Sequence, residues 1–395
     1  MDQICVLGGG ASGMAAAITI ARNTPDIPVI ILEKNLQLGK KLLATGNGRC
    51  NITNSSIPGV EKVIDFLNAL GIFTREEDDG RVYPYSGRAE DVVRLLWDSI
   101  EDLGVKVVTN FSVREVERSG SEFLVRGNVG KEIQEVKCSK VVLALGGKAA
   151  PQFGTIGEGY SIARALGIYV TKTFPGLTWI ELPKWPADVH GIRVKGSARL
   201  FRKGQLIAEE NGEIQFTKGG LSGICIFNLS SQVVLDPDCS FKDYEVSLDL
   251  ITDHSLNEMY ALLKERSLIS GIKVGNILRS ILPSPLEKEV LSRAGVSLED
   301  LDMSGDCLED STLDSISNNL KNLHFPIKGI GGWKDAQITV GGVSLSEVNQ
   351  NTWESNAAPG LYIIGELLDQ QGPCGGYNLH NAWKTGIEAG KALGK

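Results

Sequence analysis

The stretch VLGGGASGMAAAITIARN, residues 6–23, decides how the rest of the chain is read. Ahead of it, QICVLG (3–8) is a short apolar run of β-formers, which suits a strand buried on both faces. Behind the glycines, Ala11 to Arg22 are mostly small residues of good helix propensity, and VIILE (29–33) makes a second buried strand. Strand, glycine turn, helix and strand within about 30 residues form the unit expected of a dinucleotide fold.

The glycines at 8, 10 and 13 follow the G-x-G-x-x-G spacing. Gly8 permits the tight turn, Gly10 lets the backbone approach a pyrophosphate without a Cβ in the way, and Gly13 lets helix pack close to strand. Ala11 and Ser12 open the helix, whose unpaired N–H groups and partial positive charge favour phosphate. Glu33 ends the second strand where a carboxylate accepts hydrogen bonds from an adenosine ribose, with Lys34 beside it. A carboxylate at this point disfavours NADP(H) and leaves FAD or NAD(H).

Composition sets the outer bounds. The chain has 395 residues, more than one typical domain, and a formal net charge of −8, which gives no general reason to expect nucleic acid or an anionic membrane as partner. Cysteines at 5, 50, 138, 225, 239, 307 and 374 show no metal-ligand spacing and read as reduced thiols, so no metal is expected. The start lacks a basic leader and no long apolar run follows, so a cytoplasmic protein is expected.

Further along, DVVRLLWDSIEDLG reads as a helix ending at Gly104, and VKVVTNFSVREVERSG and EFLVRG as strands. KVVLALGG (140–147) is another buried strand entering a glycine turn. From Val170 short alternating runs such as GIRVKGSARLFRKG and YEVSLDL point to an antiparallel barrel or sandwich. Residues 252–324 carry apolar residues at helical spacing between Gly, Pro and Ser breaks, and GLYIIGELL precedes a terminal helix.

That far end bears on the cofactor. GLYIIGE (360–366) followed by GPCGGYNLHNAWKTGIEAG resembles the closing segment of glutathione-reductase-type flavoproteins, in which an acidic residue after the last strand binds the ribityl chain and the next helix points at the flavin ring. The resemblance makes Gly365, Glu366, Gly375, Gly376, Tyr377, Asn378 and Leu379 candidate flavin contacts. A helix amino terminus stabilises charge on reduced flavin by roughly 0.3–2 kcal/mol. TGNGRCNITN (45–54) is a polar, glycine-spaced connection after the second strand. In it and just ahead of it, Lys40, Lys41 and Arg49 are candidates to neutralise pyrophosphate; Thr45, Asn47 and Asn51 are candidates to bond ribityl or ring atoms, and Gly46, Gly48 and Cys50 complete the loop.

Together GGGASGMAAA, LEKN, GKKLLATGNGRCNITN, LALGGKAAP, GEGYSIARALG, ITVGGVSLSEV, GLYIIGELLD and GPCGGYNLHNAW resemble the BaiN-like, aminoacetone-oxidase-type bacterial flavoproteins along the whole chain. The resemblance implies an α/β fold: a Rossmann-like FAD-binding domain (1–168 and 344–395) with an inserted antiparallel β-barrel domain (169–251 and 325–343) and a helical subdomain (252–324). It places Ala144, Gly146 and Gly147 near the dinucleotide, Gly157 to Gly159 in a second phosphate-side turn, and Val113 by the adenine. It departs from the pattern at TKGGLSGI, where Lys218 stands in place of the family's histidine and Ile224 of its proline, and at DQQGPCGG, where relatives often carry an acidic residue.

The expected activity is that of an FAD-dependent oxidoreductase acting on a small organic substrate. It either oxidises an amine with O₂ or reduces an unsaturated carbonyl, with NAD(P)H as candidate donor; the alternative is a flavin-bound interaction or sensor protein with little turnover. Lys218, Tyr377 and Asn378 are the candidates for a catalytic side chain. Cys50 and Cys374 are expected to be free thiols, and of His190, His254, His324 and His380 only the last falls near the flavin helix.

Overall fold

The computed structural model describes residues 2–183, 187–233 and 240–394; Cys239 lies outside the described residues. The chain divides into two compact units, Met1–Gly176 with Trp333–Lys395, and Leu177–Gly332.

In the first unit, strands β1 (Ile4–Leu7), β2 (Val29–Leu32), β6 (Lys106–Val108), β10 (Lys140–Leu143) and β20 (Leu361–Ile363) form a parallel sheet in the order β20-β10-β1-β2-β6. Ile4 lies opposite both Lys140 and Val29. β1 and β2 are buried throughout, which explains why they read as unbroken apolar runs. Helix α1 (Ala11–Asn23) packs parallel to the terminal helix α9 (Tyr377–Leu393) at contacts made by glycines. A Cβ on Gly386 would stand 2.4 Å from the Ser12 carbonyl oxygen, and one on Gly390 2.5 Å from the Thr19 Cβ.

Helix α3 (Ala89–Asp102) buries Ala89, Val92, Leu96 and Ile100, one stripe at helical spacing, and Gly104 with φ of 68° follows its end. Asn110, at φ 56°, then breaks VKVVTNFSVREVERSG into β6 and β7 (Phe111–Ser119). β7 belongs to a separate meander with β8 (Glu122–Val129) and β9 (Glu132–Cys138). Around these lie α2 (Glu61–Asn68), α4 (Glu158–Ala165), a small sheet of β3 (Thr53–Asn54), β4 (Thr74–Glu76) and β5 (Arg81–Pro84), and the pair β11 (Phe174–Gly176) with β19 (Ile338–Val340).

The second unit carries one antiparallel sheet. Its strands are β12 (Ile180–Glu181), β13 (Arg193–Arg202), β14 (Gln205–Thr217), β15 (Gly220–Ser222), β16 (Tyr244–Asp249), β17 (Leu323–Pro326) and β18 (Gly329–Ile330), in the order β17-β16-β13-β14-β15-β12-β18. The barrel expected from the resemblance is not seen: among the described residues no ladder joins β17 to β18, because the first pairs with β16 and the second with β12. Helices α5 (Ile224–Ser230), α6 (Leu256–Ser267), α7 (Ser284–Arg293) and α8 (Asp310–Lys321) share this sheet's core, where Leu263, Val290 and Ile316 join Leu200, Phe216 and Val246. Among the described residues no helix is long and apolar enough to cross a membrane.

Candidate functional site

Each glycine of the first turn meets a different constraint. Gly8 has φ of 104°, and a Cβ there would lie 2.4 Å from the Ala144 carbonyl oxygen. A Cβ on Gly13 would lie 1.9 Å from the Gly8 carbonyl oxygen, so helix and strand touch through backbone. Gly10 is extended, with φ −79° and ψ −173°, and a Cβ on it would meet nothing within 4 Å. The backbone therefore has no steric need for glycine at 10, and the space in front of it is open. The first helical bond runs from Met14 N–H to the Gly10 carbonyl, which leaves the N–H groups of Ala11, Ser12 and Gly13 outside the helical ladder.

The turn opens onto a cleft of about 720 Å³, counted to its open mouth, whose walls include Gly8, Gly10, Glu33, Lys34, Lys41, Val113, Ala144 and Gly146. Glu33 is buried, and its carboxylate accepts hydrogen bonds from the N–H of Gly9 and of Asn35, both at 2.7 Å, which fix its direction at the end of β2. Lys34 pairs with Glu158 of α4. Lys41 pairs with Glu366 at 2.6 Å, and the other Glu366 oxygen accepts from Thr339 N–H at 2.9 Å. These two candidates thus meet each other, and Gly147 lies against them: its Cβ would stand 2.7 Å from Glu366 Oε1. Gly365, with φ of 70°, packs on Ser12 Oγ, where a Cβ would be 2.4 Å away. Gly9, Asn35, Gly39 and Thr155, absent from the sequence reading, also line the cleft. Gly9 and Asn35 lay within quoted motifs, but only the fold shows that they bond Glu33.

The remaining candidates meet in a second place. Gly46, Asn47 and Gly48 all have positive φ, and Thr45 Oγ1 donates to the Leu42 carbonyl at 2.7 Å. The Arg49 guanidinium holds both oxygens of Glu77, at 2.6 and 2.8 Å, and lies 4.2 Å over the Tyr83 ring, so its charge is committed there. Burial pushes the Cys50 thiol up to about 12. Beyond it, Asn51 and Asn54 bond the Gly375–Gly376 turn, Thr53 Oγ1 lies 2.8 Å from His380 Nδ1, and Ser56 Oγ lies 2.8 Å from the Tyr377 hydroxyl. Asn378 folds back on its own turn, donating to the Gly372 carbonyl and accepting from Gly372 N–H, both at 2.8 Å. Leu379 packs on the core. Burial, then nearby Lys384, push His380 down to about 4, so its ring is neutral. Lys218 is exposed in the turn between β14 and β15 of the second unit.

The relation between the two places follows from the helix pairing. Gly386 lies on Ser12 at the start of α1, so the nine residues from Tyr377 to Thr385 carry the α9 amino terminus about 13 Å past the phosphate turn. From Gly10 the open space therefore lies between Glu33 on one side and this helix end on the other. The residues fit a dinucleotide with a long second arm, as FAD has.

A parallel sheet, a glycine turn open at one position and a buried carboxylate at the end of the second strand are the marks of a Rossmann-type nucleotide-binding domain, and similarity to known proteins makes it that of a flavoenzyme oxidoreductase. The chain belongs to the HI0933-like family: the family model described as HI0933-like protein Rossmann domain matches residues 2–61 and 59–392. It is 32% identical over 424 residues, 99% of each chain, to the 3-dehydro-bile acid delta(4,6)-reductase of Clostridium scindens. It is 27% identical over 410 residues, 96% of this chain and 95% of the relative, to the ribosomal RNA dihydrouridine synthase of Haemophilus influenzae. Among solved structures, the 3-ketosteroid-delta4-(5alpha)-dehydrogenase from Rhodococcus jostii RHA1 aligns over 100% of this chain and 97% of its own, with a TM-score of 0.51 and 16% identity, a likeness of fold alone.

Proposed function

We propose that the chain is an FAD-dependent oxidoreductase that reduces a carbon–carbon double bond conjugated to a carbonyl in a small organic substrate, with NAD(P)H as electron donor. The observation that carries this reading is the end-to-end similarity to the bile acid reductase, which spans 99% of both chains. The dihydrouridine synthases support the same chemistry, since dihydrouridine is uridine whose ring double bond, conjugated to a carbonyl, has been reduced. FAD supplies two-electron chemistry when bound. In this reading Gly8, Gly10 and the α1 amino terminus hold its pyrophosphate, Glu33 takes the adenosine ribose, and Val113 borders the adenine. Tyr377 and Asn378 line the ring, and no role is assigned to Lys218.

Ribosomal RNA is the second reading, favoured by the two dihydrouridine synthases at 27% and 28% identity. The formal net charge of −8 weighs against it, since RNA-binding surfaces are basic. The test is to reduce the FAD-loaded protein anaerobically with NADH or NADPH and then add a conjugated enone or an rRNA transcript, and separately to add an amine anaerobically to the oxidised protein. Recovery of the oxidised spectrum with the enone, and product shorter by one double bond, is expected. Recovery with rRNA alone, or reduction of the protein by amines, would replace this proposal; slow photoreduction with turnover on none of them would favour a sensor.

A further inference from the structure

Two adjacent glycines make the most freely rotating kind of backbone, and Gly375 and Gly376 both sit at positive φ, 121° and 103°. The peptide between them has two polar ends that point in opposite directions, the Gly375 carbonyl and the Gly376 N–H. Each end is taken by an asparagine of the NITN segment. Asn54 Nδ2 donates to the Gly375 carbonyl at 3.1 Å. Asn51, its amide oriented by its neighbours, accepts from Gly376 N–H at 3.2 Å through Oδ1 and donates to the Thr53 carbonyl at 3.1 Å.

Neither asparagine is free to move. Asn54 is buried, its second Nδ2 hydrogen goes to the Asp79 carbonyl at 2.9 Å, and its Oδ1 accepts from Ser56 N–H at 3.0 Å and Ser56 Oγ at 2.6 Å. Asn51 is tied to Thr53, whose own side chain meets His380. A Cβ on Gly376 would stand 2.4 Å from the Thr53 carbonyl oxygen, so the clamp is closed tight against the turn. Downstream, the first intrahelical bond of α9 comes from His380 N–H to the Gly376 carbonyl. The N–H groups of Tyr377, Asn378 and Leu379 are left pointing out of the helix end, and the direction of the clamped peptide sets theirs.

We infer that Asn51 and Asn54 are positioning residues that lock the Gly375–Gly376 peptide and so aim the leading N–H groups of α9 at the ring of bound FAD, setting its reduction potential. This rests on the flavin reading above. Asn51, a candidate ligand contact by sequence, acts instead through the turn.

The experiment compares Asn51→Ala, Asn54→Ala and, as control, Asn356→Ala, whose amide among the described residues bonds the loop carbonyl of Ser346. Two quantities are read: the potential of the FAD-loaded protein against a reference dye, and amide hydrogen exchange of the FAD-free chain. Each clamp variant is expected to shift the oxidised-to-reduced ratio at fixed solution potential at least tenfold toward oxidised, about 30 mV for two electrons. Exchange is expected to quicken in residues 374–380 and nowhere else, and Asn51→Asp, which keeps the acceptor for Gly376 N–H, is expected to restore that protection. Should Asn54→Ala not fold, Asn51→Ala, whose side chain is only partly buried, carries both readings. Folded variants with unaltered exchange in the free chain overturn the clamp; altered exchange with unaltered potential overturns its effect on the ring. Failure of the wild-type chain to bind FAD sinks the flavin reading, while the exchange measurement still decides the clamp.

Discussion

Alanine at Gly10 and alanine at Gly13 are chemically the same change, and the structure assigns them opposite consequences. At Gly10 the backbone is in a region any residue adopts and the new methyl meets no protein atom within 4 Å. The FAD-free chain is therefore expected to keep its stability within about 0.5 kcal/mol. The same methyl stands where the pyrophosphate must approach, and pushing it off one charge-assisted N–H contact costs about 1.5–3 kcal/mol, or roughly 10- to 150-fold in FAD affinity. At Gly13 the methyl would lie 1.9 Å from the Gly8 carbonyl oxygen, which neither helix nor strand can yield cheaply. A loss of about 1–3 kcal/mol in the FAD-free chain is expected. Urea unfolding of the stripped protein and FAD titration by fluorescence quenching separate the two. Wild-type FAD affinity in Gly10→Ala, or equal destabilisation by both changes, would refute the assignment of the cradle.

Other consequences are as direct. The folded chain holds His380 neutral down to about pH 4 whereas an unfolded histidine titrates near 6.5, so unfolding takes up a proton between these values. Stability from this group is complete above about pH 6.5 and falls by about 3 kcal/mol toward pH 4; Asn at 380 should flatten that part of the urea-midpoint curve, and an unchanged curve would count against the buried imidazole. Cys50, buried and with its thiol pushed up to about 12, should resist alkylation at neutral pH while exposed Cys307 reacts, as peptide mapping would show. Gly386→Val should cost about 2 kcal/mol by driving α9 off the Ser12 carbonyl, measured by urea unfolding.

The parallel sheet was legible because β1 and β2 are buried on both faces and carry no polar residue to blur the pattern. The glycine turn was legible for a local reason: its three spaced glycines fall within six residues, and two of them, Gly8 and Gly13, leave no room for a Cβ. The second unit was harder to read. Its helices and strands share one core, so apolar spacing showed each element but not that they pack together. In the site, a candidate's type was visible while its partner was not. Arg49 and Lys41 were free cations in the sequence, and they face Glu77 and Glu366, 28 and 325 positions away. Asn54 stood in the quoted loop without a role because its partner at Gly375 is brought to it only by the folded chain.

The bond from Asn54 to Gly375 spans 321 positions of sequence. During synthesis at roughly 5–20 residues per second, the early asparagines therefore wait tens of seconds for the glycines they hold. Until then the glycine turn has formed while the helix end opposite it has not. On the flavin proposal, ligand capture is a late event in the birth of this molecule, and a ribosome stalled before residue 375 should yield a colourless chain.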